Sequence, residues 1–315
     1  MSRYFFLITI FCLFAAIFFA SFQKDENDTQ PNIITTFSIL EDITKNIIGD
    51  HAEIHIKSIV PLYTDPHTYQ PKPKDAKILN KADIVIVNGW GFEGWLDKFI
   101  VASKFKGTLI TATNNLASRQ EQINGKNIID PHAWHSIPHV IGYVKNITKL
   151  LSEYYPNSSK QFESNAQNYI KKLHKLDREL IQLFASIPKE QRYVVTTHDA
   201  FWYFGKHYGL KFLSPIGTDT DQEPSAKDIK TLINFIKKNS VRAIFIENLS
   251  NTRQIQKISQ ETGVEISGTL YADGLSDAKH NAATYIDMMR YNAHLIYNKL
   301  TPSTPESNPS NTNND

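Results

Sequence analysis

Short apolar runs alternate with amphipathic stretches in the first part of this chain. Residues 52–60 alternate in hydrophobicity, as a strand does, and residues 84–87 form a continuous apolar run typical of a strand buried on both faces. Ser38 and Glu41 have the spacing of a capping box, which predicts a helix start. The remaining predicted elements are strands at 32–36 and 108–110 and helices at 38–48, 75–80 and 94–103. Strands that alternate with helices indicate a parallel α/β layer.

The middle of the chain has a different pattern, in which helical periodicity continues without interruption. One helix is predicted over 138–156 and a second over 158–187, a stretch without Gly or Pro. The apolar positions of the second helix recur mostly at spacings of three and four, which places them on one face. At about 1.5 Å per residue this helix reaches roughly 40 Å, longer than one small domain needs. We therefore expect it to span two lobes.

After this helix the α/β alternation resumes. Strands are predicted at 193–196, 243–247 and 264–267, and helices at 201–207, 225–238, 253–261 and 281–300. The predicted fold class is therefore α/β, with two α/β lobes joined by one long helix. The predicted boundaries are an N-terminal lobe at 32–155, the connecting helix at 157–187, a C-terminal lobe at 190–300 and a disordered tail rich in Pro, Ser, Asn and Thr at 301–315.

The N-terminus has the pattern of an export signal. Arg3 precedes an almost wholly apolar run at 4–20, and polar residues follow at once. We interpret residues 1–21 as a signal peptide or an uncleaved anchor, and either places the rest of the chain in the periplasm or another extracytoplasmic space. The only cysteine, Cys12, lies inside the apolar run and does not resemble a lipidation cysteine. The exported part thus lacks disulfides and cysteine-ligated zinc.

Charge and motifs exclude several function classes. The chain has 34 basic and 32 acidic residues, a net charge of +2, and offers no reason to expect nucleic acid as a partner. It has no H-E-x-x-H motif and no G-x-S-x-G nucleophile elbow, so a secreted zinc hydrolase is the weaker of the rival hypotheses. We expect a binding protein rather than an enzyme, and the sequence contains no reason to expect an oligomer.

Three of the eleven histidines stand out because each follows a β-prone run at a loop. His67 and His132 both occur in an Asp-Pro-His-x-aromatic motif, and His198 directly follows residues 194–197. Proline stiffens the loop before each motif histidine. Ligands of open α/β folds bind at the carboxyl ends of strands, and imidazole suits zinc, manganese and iron. The other eight histidines have the pattern of surface or cap residues: His51, His55, His135, His139, His174, His207, His280 and His294.

The pattern leaves the fourth ligand open. Asp273 follows the strand predicted near Val264, and Gly274 would allow a tight turn there. Several other carboxylates are equally possible fourth ligands as far as residue type is concerned: Asp199, Asp221, Glu223, Glu247 and Asp277.

Several short motifs recur along the chain in a characteristic order. They are DPHTY at 65–69, ADIVIVNG at 82–89, EGW at 93–95, DPHAW at 130–134, THDAF at 197–201, QEPS at 222–225, IFIEN at 244–248 and YAD at 271–273. Their order and spacing resemble one known family, the cluster A-I or TroA-like solute-binding proteins of ABC importers for zinc, manganese and iron. The resemblance covers about residues 32–300.

The resemblance implies a C-clamp of two lobes with a metal between them. It implies that His67 and His132 bind from the first lobe and His198 and Asp273 from the second, and that the partners are an ABC permease and its ATPase. Glu223 and Glu247 do not fall on ligand positions of the family, and we expect them to support the site or a lobe surface.

The identity of the transported ion is a separate question. Manganese and iron carriers of this group usually have a carboxylate where this chain has His198, and zinc carriers usually have a His-rich acidic loop, which residues 115–129 lack. Three imidazoles and one carboxylate favour zinc over manganese, with iron third. The alternative to a bare ion is a chelated iron complex or haem, for which Trp90, Trp134, Trp202 and Tyr203 could line a wide cleft.

Overall fold

The computed structural model describes residues 32–51, 53–123, 126–221 and 223–301. The predicted signal or anchor at 1–21 and the tail after Thr301 lie outside the described residues. Within the described part of the chain, no helix combines the length and the apolar character that a membrane span requires.

The first half is built on a parallel four-stranded sheet. The strands are β1 (Ile33–Thr35), β2 (Ile56–Ser58), β3 (Ile84–Val87) and β4 (Thr108–Thr111), in the order β2-β1-β3-β4. Helices α1 (Ser38–Ile48), α2 (Pro73–Asn80) and α3 (Leu96–Ser103) connect them. Strand β3 is buried along its whole length, as its apolar run predicts.

An antiparallel hairpin then leads into the long helices. It consists of β5 (Gln120–Ile123) and β6 (Lys126–Ile129), and a short 3-10 turn, Ala133–His135, precedes α4 (Ile137–Tyr154). Strand β5 was not predicted from the sequence. It lies within residues 115–129, the segment compared above with the His-rich acidic loop of zinc carriers.

Helix α5 (Ser159–Ala185) follows α4 and is the longest helix described. It packs against α1 and α4 of the first half and against helices of the second half. Its buried face consists of residues spaced by three and four: Phe162, Ala166, Tyr169, Leu173, Leu176, Leu180 and Phe184. This is the stripe that the sequence periodicity predicts.

The second half repeats the architecture of the first. Its parallel strands are β7 (Tyr193–Val195), β8 (Lys211–Leu213), β9 (Ala243–Glu247) and β10 (Ile266–Leu270), in the order β10-β9-β7-β8. The helices are α6 (Trp202–Tyr208), α7 (Ala226–Lys238), α8 (Arg253–Thr262) and α9 (Tyr285–Leu300). The predicted α/β fold class with two α/β lobes is confirmed. Strand order reverses between β7 and β9, and folds of this kind bind ligands at such a point.

The two halves meet over a buried aromatic residue and several polar contacts. Trp134 is fully buried, and its indole nitrogen donates to the Ala272 carbonyl at 2.9 Å. The hydroxyl of Tyr285 donates to the Trp134 carbonyl at 2.8 Å. These contacts place the loop after β6 against the loop after β10. Trp134 is therefore a packing residue between the halves and does not line the wide cleft that the haem alternative requires.

The predicted capping box at α1 is wrong. Helix α1 begins at Ser38 with Phe37 as its N-cap, and no side chain caps it. The Ser38 hydroxyl instead accepts a hydrogen bond from the Leu275 amide at 2.9 Å, and Glu41 accepts one from the Ser58 amide at 3.0 Å. Both side chains accept hydrogen bonds from backbone amides that are distant in the sequence, and the local spacing of Ser38 and Glu41 does not reveal these partners.

Candidate metal site

Four loops bring the predicted ligands to one place. His67 lies on the loop after β2 and His132 follows β6, whereas His198 follows β7 and Asp273 follows β10. The sheets thus contribute their carboxyl-terminal ends, where side chains from adjacent loops converge. Within the described chain, this is the one group of at least three His, Cys, Asp or Glu side chains close enough to hold an ion, with ligand atoms within 4.8 Å of one another.

The ligand atoms have the separations that a small coordination sphere requires. His132 Nε2 is 3.2 Å from His67 Nε2 and 3.3 Å from His198 Nε2. The Asp273 carboxylate lies 3.4 Å from His198 Nε2, 3.7 Å from His132 Nε2 and 3.9 Å from His67 Nε2. A tetrahedral ion with bonds of about 2.0–2.1 Å holds its ligand atoms about 3.3 Å apart. The arrangement therefore fits an ion at its centre.

Burial makes this arrangement costly without a cation. The side chains of His132 and His198 are 0% exposed and those of Asp273 and His67 are 1% and 7% exposed. Asp273 Oδ1 is buried with no hydrogen-bond donor among the described residues. A buried carboxylate oxygen without a donor loses hydration and gains nothing in return, and a bound metal ion supplies the missing partner.

The aspartate of each Asp-Pro-His motif organises its own histidine. Asp65 Oδ1 accepts the His67 amide at 2.8 Å, and Asp130 Oδ1 accepts the His132 amide at 3.0 Å. Asp130 Oδ1 also lies 2.8 Å from His132 Nδ1. Accepting that proton leaves the lone pair of His132 Nε2 directed at the site, as in carboxylate–histidine–zinc arrangements.

Glu247, the last residue of β9, does the same for His198. Its carboxylate accepts the Thr197 and His198 amides at 2.9 and 3.0 Å and a hydrogen bond from His198 Nδ1. Ser250 donates to it at 2.7 Å. Glu247 thus occupies the supporting position that we expected of it. Glu223 is exposed and does not belong to the group of four.

The side chains of the four predicted ligands differ in the direction of their pKa shifts. Burial, followed by the neighbouring imidazoles, holds the pKa values of His67 and His132 well below their usual range. Burial also lowers the pKa of His198, but the carboxylates of Glu247 and Asp273 outweigh it and raise that pKa to about 10. Burial raises the pKa of Asp273 to about 7. Without an ion, His198 therefore carries the charge that pairs with Asp273.

The other carboxylates considered as a fourth ligand do not belong to the group of four. Asp199 pairs with Arg119 at 2.8 Å, and Asp277 with His280 at 2.6 Å. Asp221 is exposed. His135 corrects the view of the other histidines as surface or cap residues, because it is fully buried and its ring packs 4.3 Å from that of Phe201. Phe201 belongs to the second half of the chain, so the local sequence contains no signal of this contact.

Comparison with known proteins agrees with this geometry. The family described as the periplasmic component A of a zinc-uptake complex matches residues 33–299. The chain belongs to this family. A manganese ABC transporter substrate-binding lipoprotein of Streptococcus mitis, PsaA, is 34% identical over 91% of this chain and 96% of its own length. The resemblance drawn from the motifs is thereby confirmed, and the family comprises binding proteins rather than enzymes.

Solved structures show the same fold. The periplasmic zinc-binding protein TroA of Treponema pallidum matches with a TM-score of 0.80 and 27% identity, over 87% of this chain and 100% of that one. The manganese-bound periplasmic metal-binding protein of Candidatus Liberibacter asiaticus matches with a TM-score of 0.76 and 28% identity, over 85% and 99% of the two chains. Relatives of this fold thus include both a zinc-binding and a manganese-bound protein.

Proposed function

We propose that this protein is an extracytoplasmic receptor that captures one divalent ion, zinc or manganese, and delivers it to the permease and ATPase of an ABC importer. His67, His132, His198 and Asp273 are the proposed ligands. The single observation that carries the proposal is the buried Asp273 oxygen without a donor beside three imidazole nitrogens, since this set of atoms is complete only with a cation.

The ligand set also bears on which ion is carried. Three neutral nitrogens and one carboxylate in a compact group suit four-coordinate zinc. Manganese prefers more oxygen ligands, and Asp273 is the one ligand that could bind through both oxygens. We propose zinc as the preferred ion and manganese as a competent one.

The access route is the cleft beside His67. This cleft of about 670 Å³ has walls from both halves, including Trp90, Pro131 and Thr218, and His67 is the one ligand of the four that lines it. We infer that an ion meets His67 first and then the three more deeply buried ligands. Burial of the site also argues against haem or a chelated iron complex, because such a ligand needs its binding groups exposed along a wide cleft.

The proposal includes a division of the chain into working parts. Residues 32–155 and 190–300 serve as the two lobes, and the helix between them limits their relative movement. Release then follows from local movement of the ligand loops at the permease. We propose that the protein acts as a monomer and that residues 1–21 direct its export and retain it at the membrane if they are not cleaved.

The test is metal content by mass spectrometry on protein that lacks residues 1–21. Metal-stripped protein is offered equal zinc, manganese and iron, beside a His198→Ala variant and a His174→Ala control on the surface of α5. One zinc per chain that the His198 variant loses and the control retains is the expected result. One manganese would reverse the proposed preference, and no bound ion would overturn the function.

A further inference from the structure

Arg119 lies between two carboxylates that each adjoin a proposed ligand. Its Nη1 atom is 3.1 Å from Asp130 Oδ2 and 2.8 Å from Asp199 Oδ2. Asp130 belongs to the His132 motif of the first half, and Asp199 follows His198 in the second half. One guanidinium therefore contacts both sides of the site without reaching the ion position.

The Arg119 side chain is held in place from several directions. It is 13% exposed, its Nη2 atom pairs with Glu121, and its guanidinium carbon lies 5.0 Å from the centroid of the Trp202 ring. A guanidinium that is hydrogen-bonded and stacked loses little further freedom when it orients a partner. The Arg119 side chain is therefore held in one position, unlike that of a mobile surface arginine.

On the first side, Arg119 completes the carboxylate that orients His132. Asp130 Oδ1 accepts the Nδ1 proton of His132, and Asp130 Oδ2 accepts from Arg119. The two oxygens thus have different tasks, and the arginine restricts rotation of the carboxylate about its own bond. A ligand whose orienting group is itself anchored stays in position for the ion.

On the second side, Arg119 connects to the chain that carries His198. Asp199 is fixed to its own half because its amide donates to the Gly217 carbonyl at 3.2 Å. Next to it, the Tyr203 hydroxyl accepts from the Arg119 amide at 2.8 Å and donates to the Asp130 carbonyl at 2.9 Å. The link therefore includes both the side chain and the backbone of Arg119.

The other motif has a simpler version of this link. Asp65 Oδ1 holds the His67 amide, and Asp65 Oδ2 accepts the Thr220 hydroxyl of the second half at 2.9 Å. In both motifs one aspartate oxygen accepts from the histidine of the motif. The other oxygen is linked to the opposite half, directly through Thr220 at Asp65 and through Arg119 and Asp199 at Asp130. The repetition indicates that the motif aspartates join ligand geometry to contact between the halves.

We propose that Arg119 is a positioning residue that couples the contact between the halves to the orientation of His132, and so prolongs the residence of the bound ion. The inference rests on the proposed function, because it concerns the same ion. It adds that the residence time of the ion depends on Arg119, a side chain that does not contact the ion.

The test compares Arg119→Met, Asp199→Ala, the double variant and Arg119→Lys. Zinc affinity is measured by competition with a chromophoric chelator, and zinc dissociation by stopped flow after excess chelator is added. Arg192→Met is the matched control, since among the described residues the Arg192 guanidinium donates only to the carbonyls of Ile187, Phe184, Ala185 and Gly209.

We expect Arg119→Met to weaken zinc affinity by about 10- to 100-fold, mostly through faster dissociation. Asp199→Ala should weaken zinc affinity less than Arg119→Met does. The double variant should match Arg119→Met, because both substitutions remove the same contact between Arg119 and Asp199. Arg119→Lys restores part of the residence time, since its ammonium still reaches the carboxylates. Arg192→Met lowers thermal stability but leaves zinc dissociation unchanged.

The inference is overturned if wild-type protein binds one ion and Arg119→Met retains its affinity and dissociation rate, or if the two single effects add. If Arg119→Met does not fold, Asp199→Ala decides, because an unchanged dissociation rate in that variant also overturns the inference. Failure of wild-type protein to bind any ion would instead refute the proposed function itself.

Discussion

At the scale of single residues, the site works through pairs in which a carboxylate orients an imidazole. Glu247 accepts the Nδ1 proton of His198, and Asp130 accepts that of His132. When an ion is bound, the far nitrogen of each ring presents its lone pair to the ion. We expect these partners to govern affinity by selecting the tautomer of each proposed ligand, although they do not contact the ion themselves.

Glu247→Gln tests this control of the tautomer. The glutamine amide would donate to His198 Nδ1 and shift the ring proton to Nε2, where it blocks the ion. We expect zinc affinity to fall by about 10- to 100-fold in chelator competition. Glu93→Gln is the control, since buried Glu93 accepts from Thr36 and from the amides of Asn88 and Gly89. It should lower the free energy of unfolding and leave zinc affinity unchanged, and equal affinity in both variants would contradict the role of Glu247.

The pKa values of the ligands predict proton release. Below the His198 pKa of about 10 this ring is protonated in the metal-free protein, so an ion must displace a proton. Below the Asp273 pKa of about 7 a second proton competes. Affinity therefore falls as pH falls, and the fall steepens below pH of about 7.

Calorimetry in buffers of different ionisation enthalpy measures this release. We expect about one proton per ion at about pH 8 and more at about pH 6. Manganese should release the same number as zinc, because the protons leave the ligands and not the ion. Binding without proton release at the higher pH would show that His198 is already neutral there.

At the scale of elements, the long helix α5 is held by its buried face. Its apolar residues contact both halves, and few of its polar residues are buried. The stripe follows from spacing alone, which is why the sequence predicts this helix well. The capping box predicted at α1 fails for the opposite reason, because the Ser38 hydroxyl accepts a hydrogen bond from the amide of Leu275, which is far away in the chain.

Leu173→Ala tests the contribution of that face. Leu173 is 0% exposed, so truncation leaves a cavity in the core. We expect the free energy of unfolding in urea to fall by about 2–5 kcal/mol. Ile181→Ala on the same helix is the control, because Ile181 is 45% exposed and its truncation should change stability by about 0.5 kcal/mol or less. Equal losses would mean that the buried face does not hold the helix.

At the scale of the whole molecule, the proposed site would give a bound ion ligands from both halves. It therefore adds a cross-link that the metal-free protein lacks, and both halves should gain stability together. Hydrogen exchange should slow in β7 and in the loop after β2 alike. Protection confined to one half would indicate that the ion contacts only that half.

Thermal unfolding checks the size of this effect. At a free ion concentration about 100 times the dissociation constant, binding adds about 2.7 kcal/mol to the free energy of unfolding. Differential scanning calorimetry should show a higher midpoint with zinc and reversal by EDTA. The His198→Ala variant should show no shift, and a shift of the same size in that variant would place the ion elsewhere.

The features that could be predicted from the sequence alone have a local origin. The alternation of strands and helices, the buried β3 and the apolar face of α5 follow from periodicity, which neighbouring residues determine. His67, His132 and His198 could be selected because each follows a strand in its own segment. Asp273 could be selected only through the family resemblance, since several carboxylates fit the composition equally well.

Tertiary structure decided which groups partner across distant segments. The burial of His135, the contact of Ser38 with Leu275 and the position of Arg119 between Asp130 and Asp199 depend on residues far apart in the chain. Buried polar groups need partners, but many residues can supply a donor or a charge, and local spacing does not rank them. Only the packing of the two halves determines which one is near enough.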